Sequence, residues 1–337
     1  MPKICYEKKR FSAASLAVIN RANEILEDYT DQGYDLTLRQ LYYQFVSRGF
    51  IPNKDTEYKK LGSIVNDARL AGLIDWDHIT DRTRNLRENA HWTSPQEIID
   101  ACARQFQHDK WKDQKNYVEV WVEKDALVGV LEVACKPLDV PYFSCRGYTS
   151  QSEMWAAGQR LLGHVKVGQK VTIIHMGDHD PSGVDMSRDI GDRIRKFIQH
   201  HLIVDYARAH DQRKGESEDA YIDRLNDGFH GSEADAESNF TLNRIALNMD
   251  QIREYNPPPN PAKFTDARAN KYVEEYGDES WELDALEPAV ITELIRQAVF
   301  DVRNDDVWES AVRKEEAEKL QISLVAKNWS KVVKGLK

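Results

Sequence analysis

The amino-acid sequence predicts an α/β protein in which helices cover a parallel sheet. Three observations support this prediction: apolar runs at residues 117–122 and 171–176, an acidic turn directly after each run, and helical patterns between them. Runs of β-branched and aliphatic residues without polar alternation are typical of parallel strands that are covered on both faces. Because ligands gather at the carboxyl ends of such strands, the two turns are the first candidates for a functional site.

The first predicted strand, Tyr117–Val122, runs into the acidic turn at Glu123. A helical pattern follows from Ala126 to Ala134, and a short strand is predicted at Pro141–Cys145. A helix near Ser152–Leu162 then leads to the second long strand. This β-α-β-α-β order favours right-handed crossovers, and it places the two acidic turns beside each other.

The second long strand ends in Gly177-Asp178-His179-Asp180-Pro181-Ser182-Gly183, where two carboxylates stand one residue apart. Hard oxygen ligands at this spacing suit Mg²⁺, for which Mn²⁺ can substitute. An acidic turn alone is more often a solvated loop or a helix N-cap. Two such turns in one series of strands and helices favour a metal site, and we expect Glu123, Asp178 and Asp180 to be its ligands.

The N-terminal third begins with an amphipathic helix over residues 36–50. Thr37 is its expected N-cap and Gly49 its expected end. A second helical pattern runs from Tyr58 to Leu70, and the segment Leu73–Ile79 follows it. We interpret these elements as a CAP-like winged helix, with Leu73–Ile79 as the wing.

Arg39 and Tyr43 are four residues apart in the first of these helices, and so lie on the same helix face. A phenol with a pKa of about 10 is a poor nucleophile at neutral pH. A neighbouring cation favours the phenolate, and a guanidinium can also bind a phosphate oxygen. The pair therefore suggests a nucleophile, Tyr43, assisted by Arg39. The alternative is that Tyr42 and Tyr43 are ordinary helix aromatics, one in the core and one half exposed.

Together, Glu123-Lys124 and the Gly177–Gly183 segment resemble a Toprim domain, in the variant of the topoisomerase VI A subunit and the meiotic double-strand-break transesterases. The spacing from Arg39 to Tyr43 is similar to the winged-helix segment that bears the nucleophile in that family. The segment Trp281-Glu282-Leu283-Asp284-Ala285-Leu286 resembles an acidic segment near the end of the family's Toprim half. Glu282 and Asp284 could lie behind the metal ligands or begin a helix, and we favour the helix start.

The resemblance covers about residues 30 to 290 and implies three parts. Residues 1–112 would form the winged-helix DNA-binding domain. Residues 113–290 would form a Rossmann-like Toprim domain with an exposed acidic insertion near 205–239. Residues 291–337 would form a helical extension. The proline-rich residues 256–261 are expected to be a stiff extended connector.

The resemblance also implies a reaction, the Mg²⁺-dependent cleavage of double-stranded DNA by tyrosine transesterification, as in a type IIB topoisomerase A subunit. Tyr43 would attack a backbone phosphate while Arg39 and the metal neutralise charge, and Glu123 would handle the proton of the leaving 3′ hydroxyl. In that family the tyrosine of one subunit works with the metal bound to the other. This implies a homodimer and a staggered double-strand break with the protein attached to the 5′ ends. Topoisomerase VI has a separate ATPase subunit, but the shorter segment before Tyr43 leaves such a partner in doubt.

Two other functions stay open. A Toprim nuclease of phage, plasmid or defence origin would hydrolyse DNA with metal-activated water, and Tyr43 would then serve packing or DNA contact. A non-enzymatic winged-helix regulator would keep only DNA binding. A binuclear zinc site using His175 and His179 fails because Ile174 and Met176 occupy the positions where histidines are required.

The net charge of −10 argues against a protein that coats nucleic acid through bulk electrostatics, but it permits a local basic groove. The candidate DNA-binding residues are Lys54, Lys59, Lys60, Arg82, Arg84 and Arg87. We find neither a run of eighteen apolar residues nor a signal segment, and the four cysteines lack zinc spacing. We therefore expect a cytoplasmic, nucleoid-associated protein without a membrane partner.

Overall fold

A four-stranded parallel sheet lies at the centre of the computed structural model, which describes residues 3–80, 89, 91–229, 239–262, 266 and 268–335. Its strands stand in the order β2-β1-β3-β4, and every neighbouring pair is parallel. The strand bounds are Asn116–Val122 for β1, Tyr142–Ser144 for β2, Lys170–Met176 for β3 and Phe240–Ala246 for β4. This confirms the predicted α/β fold and its parallel sheet.

The register of β1 and β3 brings the two acidic turns to the same level. Val122 pairs with Met176, the last residue of each strand, and Glu123 N donates to Met176 O at 3.0 Å. Both strands are buried over most of their length, as their uninterrupted apolar sequences predict. The chain therefore leaves both strands at one edge of the sheet.

Three helices flank the sheet, and the first two begin within two residues of their predicted positions. A 3₁₀ turn at Asp125–Leu127 precedes α5, and a second one at Lys136–Leu138 follows it. The longest of the helices begins directly after the Asp-x-Asp turn, with Pro181 as its first residue. These helices are α5 (Val128–Cys135), α6 (Gln151–Lys166) and α7 (Pro181–Ala209).

The N-terminal part is helical, with α1 (Ala13–Asp31), α2 (Leu38–Ser47), α3 (Asp55–Leu70) and α4 (Pro95–Gln105). Thr37 caps α2 as expected: its Oγ1 accepts from Gln40 N at 3.3 Å, and Gln40 Oε1 accepts from Thr37 N at 2.9 Å. Gly49 follows α2 with a φ of 70°, a conformation that favours glycine.

The segment interpreted as the wing, residues 73–79, contains no strand. Residues 73–79 form turns, and Ile79 makes one isolated parallel bridge to Leu36. A second isolated bridge joins Cys5 to Ala71. The segment is too short to pair with itself, so its backbone finds partners elsewhere in the N-terminal part.

The predicted acidic insertion is partly regular. Residues 205–209 are the last turns of α7, and α8 (Glu218–Phe229) is longer than the short helix expected near 221–225. Residues 230–238 lie outside the described residues. The elements that follow β4 are α9 (Met249–Tyr255), β5 (Asn260–Pro261), α10 (Ala269–Tyr276), β6 (Glu279–Ser280), α11 (Pro288–Phe300), α12 (Asp305–Lys327) and α13 (Trp329–Gly335).

The predicted C-terminal extension is helical, but its first helix belongs to the core. Helix α11 begins at Pro288, before the expected boundary, and buries Ile291, Ile295 and Val299 completely. Helix α12 instead docks on the segment before β1 through Glu315. Its carboxylate accepts from Lys110 Nζ at 2.6 Å, from His108 N at 2.9 Å and from Lys319 Nζ at 2.7 Å.

Candidate active site

Glu123 and the Asp-x-Asp turn are in direct contact at the edge of the sheet. Glu123 Oε2 accepts from Asp178 N at 2.9 Å. Two glycines permit this approach: a Cβ on Gly177 would stand 3.0 Å from Glu123 Oε2, and a Cβ on Gly183 would stand 2.3 Å from Asp178 O. The turns that follow β1 and β3 therefore meet, as their register requires.

The two aspartates of the turn have different surroundings. Asp178 is buried, and its Oδ1 accepts from Leu283 N at 2.8 Å while its Oδ2 lies 2.9 Å from Lys124 Nζ. Burial raises the pKa of Asp178 to about 7, although Lys124 opposes that shift. Asp180 is the N-cap of α7, since its Oδ1 accepts from Gly183 N at 2.6 Å. The N-cap alternative is thus correct for Asp180.

The segment after β6 adds two acids, Glu282 and Asp284, as the less favoured alternative of the sequence analysis expected. Lys124 Nζ lies 2.6 Å from Glu282 Oε2 and 3.0 Å from Asp284 Oδ1. A 3₁₀ turn does begin there, at Leu283–Ala285, but it has no side-chain cap. Both carboxylates contact cations instead, so the helix-start interpretation misses their main contacts. The available signal was the alternation of acids with apolar residues in the segment 281–286.

Helix α2 reaches the same acids through Arg39. Its Nη2 donates to Glu282 Oε2 at 2.6 Å and to Tyr43 Oη at 3.2 Å. Its Nε lies 3.4 Å from Asp284 Oδ2. We call Arg39, Glu282, Lys124, Asp284 and Asp178 the ion-pair bridge, since it connects α2 to the turn after β3 within one chain.

The bridge changes the charge state of its members. Burial alone would raise the pKa of Glu282, but Lys124 and Arg39 lower it to about 2, so this carboxylate stays ionised. Burial alone would lower the pKa of Lys124, but the carboxylates of Asp284, Asp178 and Glu282 outweigh burial and raise that pKa. Glu282 and Lys124 therefore keep their charges at neutral pH.

Tyr43 lies at this bridge, but in a state that does not favour the phenolate. Its ring is 3% exposed. Burial raises the pKa of Tyr43, and the carboxylates of Asp284 and Glu282 raise it further. Arg39 lowers it, as expected, but does not compensate for these effects. Arg39 therefore acts on Tyr43 in the expected direction, but in this conformation burial and the two carboxylates outweigh it.

Tyr42 has different partners. Its hydroxyl accepts from Lys54 N at 2.8 Å and donates to Asn53 Oδ1 at 2.9 Å. It is buried like Tyr43, so neither ring is the half-exposed aromatic of the alternative interpretation. Because the Tyr42 hydroxyl is engaged at the start of α3, Tyr43 is the tyrosine that faces the acids.

The described residues do not present a preformed three-ligand metal site: no three histidine, cysteine, aspartate or glutamate side chains among them are arranged to hold a metal ion. Within the expected triad, Asp178 is not free to bind a metal ion, because its Oδ2 contacts Lys124. Mg²⁺ is, however, commonly bound through one or two carboxylates, with waters completing the shell. Glu123 and Asp180 are close enough for Asp180 to raise the pKa of Glu123, an effect that adds to that of burial.

Carboxylates outnumber cations in this cluster. Among the described residues, the carboxylates are Glu123, Asp178, Asp180, Glu282 and Asp284, and the cations are Arg39, Lys124 and Arg244. Lys124 contacts Asp178, Glu282 and Asp284. Glu123 and Asp180 are therefore the carboxylates that could hold a divalent ion such as Mg²⁺.

The histidines near the turn are engaged elsewhere. His175 Nδ1 lies 2.9 Å from Ser187 Oγ, and His179 Nδ1 lies 2.7 Å from Tyr272 Oη. Burial lowers the pKa of His175 to about 3 and that of His179 to about 4, so both are neutral.

The candidate DNA-binding lysines lie on an exposed surface. Lys54 precedes α3, and Lys59 and Lys60 are on its first turns. Lys60 Nζ lies 3.8 Å from the Glu57 carboxylate, so its charge is less available to bind DNA. The other three candidates, Arg82, Arg84 and Arg87, lie outside the described residues.

Compared with known proteins, the chain matches no family model and no curated protein. In the described ranges, no helix has both the length and the apolar character needed to cross a membrane. What can be assigned thus rests on the fold and the site: an α/β protein with a carboxylate cluster at the ends of two parallel strands.

Proposed function

We propose that the protein is a Mg²⁺-dependent DNA-cleaving enzyme that combines a winged-helix-like N-terminal part with a Toprim-like sheet. Its chemistry would be that of a topoisomerase VI A subunit. One observation carries the proposal: a single nitrogen, Arg39 Nη2, contacts both Tyr43 Oη and Glu282 Oε2. A candidate nucleophile and the strand-end acids are thereby connected in one chain.

Each part of the site has a role in this proposal. Bound at Glu123 and Asp180, Mg²⁺ would supply positive charge near the phosphoryl oxygens. Arg39 would exchange Glu282 for a non-bridging phosphate oxygen, since guanidinium groups bind phosphate as well as carboxylate. This exchange would separate α2 from the acidic turn and uncover Tyr43.

The covalent step follows from these placements. Tyr43 Oη bonds to phosphorus and loses its proton to solvent, while the bond from phosphorus to the 3′ oxygen breaks. That oxygen takes a proton from a water hydrogen-bonded to Glu123 and leaves as a 3′ hydroxyl, so Glu123 guides the proton and itself stays ionised. One phosphate ester replaces another, so the reverse reaction can reseal the strand.

The substrate in this proposal is double-stranded DNA of the nucleoid, and two copies of the chain would cut its two strands. A separate ATPase subunit would be needed for strand passage but not for cleavage. ATP-dependent relaxation of supercoiled plasmid, measured with and without the neighbouring gene products, tests for that subunit.

A second candidate function is favoured by the burial of Tyr43. A tyrosine with 3% exposure and a raised pKa is a poor nucleophile. In a hydrolytic Toprim nuclease, metal-activated water would attack the phosphate, and Tyr43 would pack against Arg39, whose guanidinium lies 5.6 Å from the ring centre.

The two functions differ in their products. Reactions of supercoiled plasmid with Mg²⁺, stopped with denaturant, should leave protein covalently attached to 5′ ends if Tyr43 is the nucleophile. Tyr43→Phe keeps the ring and should fold and bind DNA without cutting it. Free 5′ phosphates together with normal cutting by Tyr43→Phe would establish the hydrolytic function instead.

Tyr42→Phe is the matched control, because the two rings are adjacent and equally buried. It removes the hydroxyl that binds Lys54 N, so a loss of about 1 kcal/mol of stability is expected. Cleavage should persist. If Tyr42→Phe alone were inactive, Tyr43 would not be the nucleophile.

A further inference from the structure

Arg244, on β4, uses its guanidinium to bind the backbone of the turn that follows β3. Its Nη1 donates to Gly183 O at 3.0 Å and to Ser187 Oγ at 2.7 Å. Its Nη2 donates to three carbonyl oxygens, of Gly177 at 3.0 Å, Asp178 at 2.7 Å and Leu247 at 3.3 Å. One planar group thus ties together the turn after β3, the start of α7 and the end of β4.

These acceptors surround the candidate metal ligands. Gly177, Asp178 and Gly183 bracket the Asp-x-Asp turn, so Arg244 fixes the backbone on both sides of Asp180. Nη1 of Arg244 and Oε2 of Glu123 both lie within 3.2 Å of the point where a Cβ on Gly177 would stand. The guanidinium is therefore next to the acids without being their ion-pair partner.

The choice of acceptors distinguishes Arg244 from the other cations of the site. Arg39 and Lys124 each contact carboxylates at 3.4 Å or less. No ion pair of Arg244 is found among the described residues, and its donors go to four carbonyls and one hydroxyl. The planar guanidinium of an arginine presents its donors in a fixed arrangement, which suits it to hold a loop in one shape. The flexible ammonium of a lysine does this less well.

We infer that Arg244 is a positioning residue that holds the Gly177–Gly183 turn in the shape needed for its carboxylates to bind a divalent ion. Since metal binding is itself part of the proposed function, this inference rests on that function. Residues that orient metal ligands commonly change metal affinity by about 10- to 100-fold when they are replaced.

The test compares Arg244→Ala and Arg244→Lys with Arg253→Ala. Arg253 is an exposed arginine whose ion pair, with Asp250, lies on the surface of α9, so its loss controls for the removal of one positive charge. Hydrogen exchange of the peptide covering residues 176–184 is measured without metal. Mn²⁺ affinity is measured by calorimetry, with and without low millimolar guanidinium, and urea serves as the uncharged control.

If Arg244 holds the turn, Arg244→Ala exchanges faster at 176–184 only, and its Mn²⁺ affinity falls at least about tenfold. Guanidinium, but not urea, should restore part of that affinity, and Arg253→Ala should behave as the wild type. Arg244→Lys is expected to fold like the wild type and still bind Mn²⁺ more weakly.

Three results would overturn the inference. The first is a folded Arg244→Ala that binds Mn²⁺ as tightly as the wild type does, and the second is a loss of Mn²⁺ affinity that guanidinium does not restore. The third applies if Arg244→Ala does not fold, and it is wild-type Mn²⁺ affinity in Arg244→Lys. A wild-type protein that binds no Mn²⁺ would instead refute the proposed function, and with it the role given to Arg244. Comparison of the wild type with the variants therefore separates the two failures.

Discussion

Asp180 belongs to two structures at once, the cap of α7 and the Asp-x-Asp turn. Asparagine is as good an N-cap as aspartate, whereas alanine costs about 1 kcal/mol. We expect Asp180→Asn to unfold like the wild type and Asp180→Ala to be less stable by about that amount. Both should lose Mg²⁺ binding because both lack the carboxylate.

Thermal unfolding and calorimetric titration with Mg²⁺ check this pair of variants. A stable Asp180→Asn that binds Mg²⁺ normally would remove Asp180 from the ligands and leave only its capping role.

Lys124 provides a second prediction, since its ammonium lies within 3.0 Å of three carboxylates. Removing one partner of a buried ion pair typically costs about 3 to 5 kcal/mol. Lys124→Met should therefore be strongly destabilised without metal. Mg²⁺ should raise its melting temperature more than that of the wild type, because a divalent ion can replace the lost charge.

The matched control is Lys136→Met, which removes a lysine paired only with Glu132 on the surface. Its stability should change little, with or without Mg²⁺. Equal stabilisation of the wild type and Lys124→Met by Mg²⁺ would contradict the account of the charge cluster.

At the scale of single residues, the sequence predicts which side chains meet at the ends of the parallel strands. Glu123, Asp178 and Asp180 follow from two apolar runs, because parallel strands in register end at one edge. The contacts of Glu282 could not be predicted, since its partner Lys124 is 158 residues away and no local pattern specifies that distance. The burial of Tyr43 depends on the same long-range packing.

Among the elements, strands β1, β2 and β3 were predicted within one or two residues, because uninterrupted β-branched runs leave little choice of structure. The wing stays a prediction, since its segment contains no strand. Residues 73–79 contain alternating apolar and acidic residues, but Ile79 pairs with Leu36, which belongs to another part of the chain. A strand-like composition does not identify the partner strand.

The docking of α12 on the segment before β1 gives a prediction about pH. Burial alone would raise the pKa of Glu315, but hydrogen bonds from Lys110, Lys319 and the backbone of His108 lower it to about 2, from an ordinary value of 4.5. A lowered folded pKa gives stability that is present above pH 4.5 and is lost as the pH falls towards 2.

We expect Glu315→Gln to be less stable than the wild type by about 3 kcal/mol at pH 7, because Lys110 loses its partner at 2.6 Å and keeps only the longer contact with Asp139, at 3.9 Å. The difference should shrink between pH 4.5 and pH 2. Urea unfolding at several pH values measures it. A difference that does not depend on pH would mean that packing, not charge, holds α12.

For the whole molecule, the family resemblance implies catalysis between two subunits, whereas the ion-pair bridge connects Tyr43 to the acids of its own chain. We therefore expect Tyr43→Phe and Asp178→Ala to be inactive alone and to remain inactive when mixed. Cleavage assays on nicked and intact plasmid detect the cutting of single strands.

Restored cutting of one strand in the mixture would show that the tyrosine acts on the partner subunit's site, and would make the bridge a resting contact. Sizing of the mixed protein by light scattering, with DNA present, shows whether mixed dimers form in the assay.

The ion-pair bridge also joins residues that the ribosome adds to the chain at very different times. Arg39 and Glu282 are 243 positions apart, so a ribosome adding about 5 to 20 residues per second needs about 12 to 50 s to deliver the second partner after the first. During that interval α2 has emerged without the carboxylates that later cover Tyr43. The N-terminal helices must therefore stay free of aggregation throughout that interval.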